Sequence, residues 1–256
     1  VVGYSKSPST TDRARQLGVI DVEAPSALLA VAGADIVLVA VPVAATEATL
    51  KSIKHLVTPQ MLVMDVGSTK ADVVQAARRA LRDQVGSFVP AHPIAGREVS
   101  GVEHADPELY AGRQVILTPT ERTLAAHLRC AEELWTRLGC RVTSMAPEAH
   151  DAAFAAVSHL PHLLAFAMMQ SVIRQENSDY ILSLAGTGFR DFTRIAASDP
   201  KMWRDILRAN REEVLVQSRL FQEALQAFEH AIQADDDQPL EDMLTLASET
   251  RAHWRM

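Results

Sequence analysis

Two nearly continuous β-branched runs, residues 34–42 (ADIVLVAVP) and 60–66 (QMLVMDV), are each followed by a stretch of helical periodicity, and nothing else in the chain restricts its fold as much. A strand with one wet face alternates apolar and polar residues. Runs like these belong instead to strands buried on both faces of a parallel sheet. Residues 87–90 (SFVP), 114–118 (QVILT) and 141–145 (RVTSM) are further strand candidates, and helices are predicted over 69–81 and 123–138. The alternation predicts a Rossmann-like, doubly wound parallel α/β domain over residues 1–146. From Pro147 the pattern becomes helical throughout, with helices predicted at 149–175, 178–185, 202–234 and 240–255. The second domain, 147–256, is therefore expected to be all-helical. Long amphipathic helices leave an apolar stripe that one small domain cannot cover, so a homodimer through this half is expected.

With 48% apolar residues, a chain of 256 residues can bury the cores of two ordinary domains. The net charge of −7 arises in the helical half: residues 1–146 hold 15 basic and 15 acidic side chains, residues 147–256 hold 10 and 17. No Lys/Arg stripe with interleaved aromatics is present, which argues against a nucleic-acid partner. Cys130 and Cys140 form no C-x-x-C and no signal-like stretch opens the sequence, so a reducing, cytoplasmic setting is expected. The longest apolar region, 152–169, is interrupted by Ser158, His159, Pro161 and His162 and reads as a buried helix, not a membrane span.

The opening residues Val1-Val2-Gly3-Tyr4 read as the end of a strand already inside the sheet, followed by the polar turn Ser5-Lys6-Ser7-Pro8. A dinucleotide fold calls for an earlier strand and a Gly-rich turn that delivers the pyrophosphate to a helix N-terminus. Neither is in this sequence. Either the chain is a truncated form of a longer protein or the cofactor loop is lost; truncation is preferred, because a buried parallel strand at a natural terminus would leave an apolar edge.

Three places carry chemistry. The turn Asp65-Val66-Gly67-Ser68-Thr69-Lys70 lies between a buried strand and a helix, at the sheet edge where open α/β folds bind ligands, so Ser68 is either a site hydroxyl or a plain helix cap. The following strand ends in the loop Pro90-Ala91-His92-Pro93-Ile94-Ala95-Gly96-Arg97-Glu98. A lone loop histidine is more often uninvolved, but beside Ser68 it would make an orienting hydroxyl and a base with a pKa near neutrality. His55, His104 and His127 read as solvated. In the helical half, Arg190 and Arg194 would share a helix face, suited to an anionic ligand or to surface pairs with Asp191 and Asp205; Trp203 is core or pocket wall.

In this order, Asp65-Val66-Gly67-Ser68-Thr69-Lys70, His92-Pro93-Ile94-Ala95-Gly96, Ser158-His159-Leu160-Pro161-His162 and the run from Gly188 to Ala196 (GFRDFTRIA) resemble the prephenate and arogenate dehydrogenases of tyrosine biosynthesis. The resemblance extends from Val1 to about Leu207. It implies NAD(P)-dependent oxidation of prephenate or arogenate coupled to loss of the ring carboxylate as CO2. His92 would take the proton of the ring hydroxyl, Ser68 would orient His92, and Arg194 would hold a substrate carboxylate, with His159, Arg190 and Trp203 completing the pocket. Ser5, Lys6, Val41, Pro42 and Ser68 would face the cofactor. Where NAD-preferring members place an acidic residue after the second strand, this chain has Ser5-Lys6-Ser7, which favours NADP. Two other readings are a β-hydroxyacid dehydrogenase, whose helical-domain lysine would have to be Lys201, and a non-catalytic module that binds an aromatic amino acid.

Overall fold

The computed structural model describes residues 1–96 and 101–255. Strand β1 (Val2–Gly3) pairs in parallel with β2 (Val22–Glu23), and β3 (Ile36–Val39), β4 (Leu62–Asp65) and β5 (Phe88–Val89) form a parallel sheet in that order. After β5 the chain bends at Pro90 into β6 (Ala91–Pro93), which runs antiparallel to β7 (Gln114–Leu117); β7 is parallel to β8 (Arg141–Ser144). Every element beyond Ser144 is helical, beginning with Pro147–Phe154 and ending with Gln238–His253.

All four residues of β4 are buried, which is why the sequence there shows no polar alternation. Val63 joins a core with Leu50, Ile53, Val73 and Leu81 from the helices Thr46–Ile53 and Ala71–Leu81. Leu62 and Met64 join a second core on the opposite face with Ala131 and Trp135 from the helix Ala125–Arg137. Each fully buried side chain of this size stabilises the fold by about 1.5–3 kcal/mol, so the two-sided packing fixes β4 and the turn that follows it. β3 behaves otherwise. Val37 and Val39 are buried, but Ile36 and Leu38 are exposed, because among the described residues no element covers that face.

The helices differ from the sequence reading in informative ways. The run predicted over 202–234 is broken into Pro200–Ala209 and Arg211–Gln233 at Asn210, whose amide is turned inward. The short helices Pro8–Gln16 and Ala27–Val31 carry too few periodic apolar residues to stand out. His127 is buried, not solvated: its Nε2 lies 2.8 Å from the carbonyl of Pro59. The apolar segment 152–169 lies in a helix that runs Pro147–Ile173, long and apolar enough by length and composition to cross a membrane. It is not the buried helix expected. Ala155, His159, Leu160, Ala165 and Val172 are buried, while Val157, Met168 and Ile173 lie on the surface, because only one flank of the helix packs against the chain.

Candidate active site

The site forms where the turn after β4, the strand β6 and the first helix of the helical half meet. Asp65, the last residue of β4, is only 1% exposed and pairs with the wholly buried Lys70 through its Oδ2. The same carboxylate accepts the N–H of Gly67 (2.8 Å) and, through Oδ1, that of Ala91 (3.1 Å). Lys70 Nζ also donates to the carbonyl of Ala91 at 2.7 Å. One ion pair thus holds both backbone groups of the residue before His92. The turn is tight enough to need glycine: a Cβ on Gly67 would lie 2.9 Å from Asp65 Oδ2 and 3.0 Å from Val43 Cγ1.

His92 is in strand β6, opposite Ile116, and not in a loop. Its Nδ1 lies 2.8 Å from Nε2 of His150, and His150 Nδ1 lies 2.8 Å from Asp151 Oδ1. Phe154 packs against both rings, 4.9 Å from His92 and 4.4 Å from His150 between centroids. Asp151 has a second task. Its two oxygens accept the N–H groups of Lys70 (2.8 Å) and Ala71 (2.9 Å), so a carboxylate from the helical half caps the helix Ala71–Leu81. Negative charge is favoured at such an N-terminus.

Ser68 is not the cap of that helix, and among the described residues the hydrogen bond to the His92 ring comes from His150 at Nδ1 and not from the Ser68 hydroxyl. The reason lies in the fold: β6 and the turn at Ser68 are joined through the helix Pro147–Phe154, which brings its own histidine and carboxylate between them. Neither His150 nor Asp151 stood out in the sequence. The adjacent pair His-Asp, three residues after a helix-starting Pro147, was the available signal.

Beside His92 opens a cleft of about 440 Å³, lined by Ile94, Ala95, Gly96, Leu109, Arg113, Phe154, Val157 and Ser158 as well as the His92-Pro93 pair. The volume falls in the usual range for small-molecule sites, about 300–1,000 Å³. Arg113 is the charged member of this lining. Residues 155–159 form a π-helical turn within the long helix. The wider turn accommodates Pro161, whose ring would otherwise press on the carbonyl of Val157. It also divides the helix: Phe154, Val157 and Ser158 face the cleft, whereas His159 is 1% exposed and bonds Asn210 through Nδ1 (3.1 Å). His159 therefore lies behind the cleft wall, not on it. Trp203 is buried and stacks on His162 at 3.6 Å, and His162 Nδ1 lies 2.8 Å from the carbonyl of Ser158.

Arg190 is exposed and pairs with Asp191 at 3.4 Å, the surface pair foreseen as the alternative, while Asp205 pairs with Arg204. Arg194 is also exposed and opens the 3-10 turn Arg194–Ala197, just past the end of the helix Thr187–Thr193, so the two arginines do not share one uninterrupted α-helix. Arg97 and Glu98 lie outside the described residues. Lys201 is exposed at the start of Pro200–Ala209.

Burial pushes the His92 ring well below the ordinary imidazole range; the charge of Lys70 and the electrostatic influence of the neighbouring His150 and His159 rings push it the same way. Burial also takes His159 down to about 4 and lowers His162. These rings are therefore neutral at physiological pH, and a neutral His92 is able to accept a proton. At the carboxyl ends of the parallel strands, Ser5 and Lys6 follow β1, Val41 and Pro42 follow β3, and Ser68 follows β4. Ser5 Oγ accepts the N–H of Ser7, shaping the turn that opens the helix Pro8–Gln16. Lys6 is exposed there. Among the described residues, no group of three or more His, Cys, Asp or Glu side chains is arranged to hold a metal ion.

A Rossmann-like sheet whose strand ends meet a helical half around a buried histidine defines a nucleotide-binding type of fold joined to a helical domain. Residues 1–144 match the family described as prephenate dehydrogenase, nucleotide-binding domain, and residues 146–246 match prephenate dehydrogenase, dimerization domain. The chain belongs to the prephenate dehydrogenase family. It is 34% identical over 214 residues to a cyclohexadienyl dehydrogenase of Zymomonas mobilis, covering 83% of this chain and 72% of that protein. It is 36% identical over 217 residues to the prephenate dehydrogenase of Bacillus subtilis, covering 84% of this chain and 58% of that one. Against the prephenate dehydrogenase of Aquifex aeolicus, solved in complex with hydroxyphenyl propionate and NAD+, the TM-score is 0.92 at 35% identity, covering 98% of this chain and 87% of the other.

Proposed function

We propose that the protein oxidatively decarboxylates prephenate or arogenate, with His92 as the proton acceptor. The observation that carries this reading is the 440 Å³ cleft beside a buried, neutral histidine in a chain of this family. With substrate in the cleft, His92 takes the proton of the ring hydroxyl, and the hydrogen on the same carbon leaves with its electron pair. The electron pair of the bond to the ring carboxylate then completes the aromatic ring as CO2 departs, and the proton on His92 returns to the phenolic oxygen. Arg113, on the cleft wall, supplies a cation for a substrate carboxylate, and Arg194 is proposed to hold a second one.

When bound, a nicotinamide dinucleotide supplies the hydride acceptor. Ser5 and Lys6, which follow β1, are proposed to read its ribose, and Val41, Pro42 and Ser68, which follow β3 and β4, are proposed to face the rest of the dinucleotide. The sequence contains no G-x-G-x-x-G to receive the pyrophosphate. With hydroxyls and a lysine after β1 and no acid in that turn, NADP is proposed over NAD. A homodimer is proposed through the helices Arg211–Gln233 and Gln238–His253, which expose Leu220, Leu225, Ile232, Leu244 and Leu246.

The test is turnover by the full-length protein of prephenate and of arogenate, each with NADP and NAD, together with the variant His92→Asn. Wild-type turnover with kcat lowered ~100- to 10,000-fold in the variant and little change in KM is the expected result. Absence of turnover with all four pairs, alongside tight binding of an aromatic amino acid, would replace the enzymatic reading with the binding-module one.

A further inference from the structure

The contacts behind His92 determine which of its nitrogens can act. Asp151 accepts two backbone N–H groups, and its Oδ1 also meets His150 Nδ1, so that imidazole nitrogen must carry a hydrogen. With the hydrogen of the His150 ring held on Nδ1, its lone pair lies on Nε2, and the 2.8 Å contact with His92 Nδ1 has His92 as the donor. The lone pair of His92 is left on Nε2, the nitrogen with no protein partner among the described residues, in a side chain that lines the cleft.

We propose that His150 and Asp151 are positioning residues that hold His92 in the tautomer with Nδ1 protonated and Nε2 free to receive the substrate proton. This rests on the reading of His92 as the base and deepens it. When His92 is transiently an imidazolium, the Nδ1–H bond toward His150 strengthens while Asp151 stays fixed by the helix N-terminus, so no second proton needs to move. The polar groups around the ring are Lys70 with its partner Asp65 from the β4 turn and His150 and His159 from the long helix, and Arg113 and Ser158 line the same cleft. None of these besides His150 is within hydrogen-bond distance of Nδ1. Asn210 Nδ2 donates to the backbone carbonyl of Asp151 at 2.7 Å and fixes the pair from the next helix.

The tautomer can be read without turnover. In full-length protein labelled with 15N-histidine, the His92 resonances, assigned by their loss in His92→Asn, are expected to show a protonated Nδ1 and an unprotonated Nε2 at neutral pH. An Nε2-protonated ring would overturn the proposal even if the enzyme is active. The proposed function fails separately, if no substrate is turned over while the tautomer is as stated. His150→Leu is expected to lower kcat roughly 10- to 100-fold, in the range for lost orienting partners, with KM changed less than about twofold and the His92 signals mixed between tautomers. His150→Gln restores an acceptor toward Nδ1 and is expected to recover most of the rate. Wild-type kcat in a folded His150→Leu, or equal loss in the Leu and Gln variants, would refute the positioning role. If His150→Leu does not fold, the wild-type tautomer and the Gln variant decide.

Discussion

Lys70→Met tests the support beneath the site. In the folded chain the ammonium is fully buried and is bonded both to Asp65 and to the Ala91 carbonyl. Methionine fills much of the same volume but leaves the Asp65 carboxylate without a cation at a position 1% exposed. Breaking one side of a buried ion pair costs about 3–5 kcal/mol, more than the pair itself contributes relative to an apolar replacement. For a protein of this size each kcal/mol shifts Tm by about 2–4 °C, so a fall on the order of 10 °C is expected. The measurement is thermal and urea unfolding at one fixed protomer concentration, since the proposed homodimer would add a concentration term. The double variant Asp65→Asn/Lys70→Met removes the stranded charge and should be the more stable of the two by roughly 1–3 kcal/mol. Activity gives a second readout. Lys70 is one of the charges that depress His92, so without it the ring titrates closer to the ordinary imidazole range. The neutral, accepting form then predominates only at higher pH, and the acid limb of kcat/KM moves upward. A Lys70→Met protein within about 0.5 kcal/mol of wild type, with the acid limb unmoved, would show that the pair carries neither burden.

Other expectations follow from the same geometry. Ser5→Asp/Lys6→Ala places an acid and removes a cation after β1, and the ratio of kcat/KM for NADP over NAD should fall at least about tenfold; an unchanged ratio would remove this turn from the cofactor site. His159 titrates at about 4 in the folded chain, against an ordinary 6.5. The unfolded chain therefore binds the extra proton between these values, and stability that is complete above pH 6.5 declines as the pH falls toward 4, by about 3 kcal/mol. Urea midpoints at pH 7 and 4.5 should converge in His159→Gln relative to wild type; an identical pH dependence in both proteins would refute this. Leu225→Asp/Leu246→Asp puts charge on the exposed apolar face of the last two long helices and should give a monomer by light scattering, and persistence of a dimer would move the interface elsewhere.

The sequence disclosed its architecture where burial is two-sided. β4 is apolar at both faces because cores lie on both, so the run at 60–66 could be read directly. β3 gave the same signal, but among the described residues nothing covers one of its faces, and the pattern could not distinguish an apolar residue that is covered from one that is not. His92 could be picked out as a candidate because its motif is local, and it lines the cleft. Its partners were not, because the contacts to His150 and from Lys70 to Asp151 span 58 and 81 residues. Ser68 and His92 were joined in the sequence reading because both follow neighbouring strands, whereas the hydrogen bond at His92 Nδ1 comes from the long helix. The π-turn at 155–159 is likewise invisible to a count of helical periods, yet it decides that Ser158 faces the cleft and His159 does not.

Asp151 is where these long-range contacts converge. It caps a helix of the α/β half, orders His150 toward β6 and is itself held by Asn210 from a later helix. The ring of His92 is carried by one half of the protein, whereas the acceptor that selects its tautomer is carried by the other. A relative movement that opened the 2.8 Å contact between His92 and His150 would leave the ring free to exchange tautomers and would also uncap the helix Ala71–Leu81. Those two costs arise together because His150 and Asp151 are consecutive residues. The proposed tautomer of His92 and the docked arrangement of the two halves are thus stabilised by the same atoms, and loosening one half against the other weakens both.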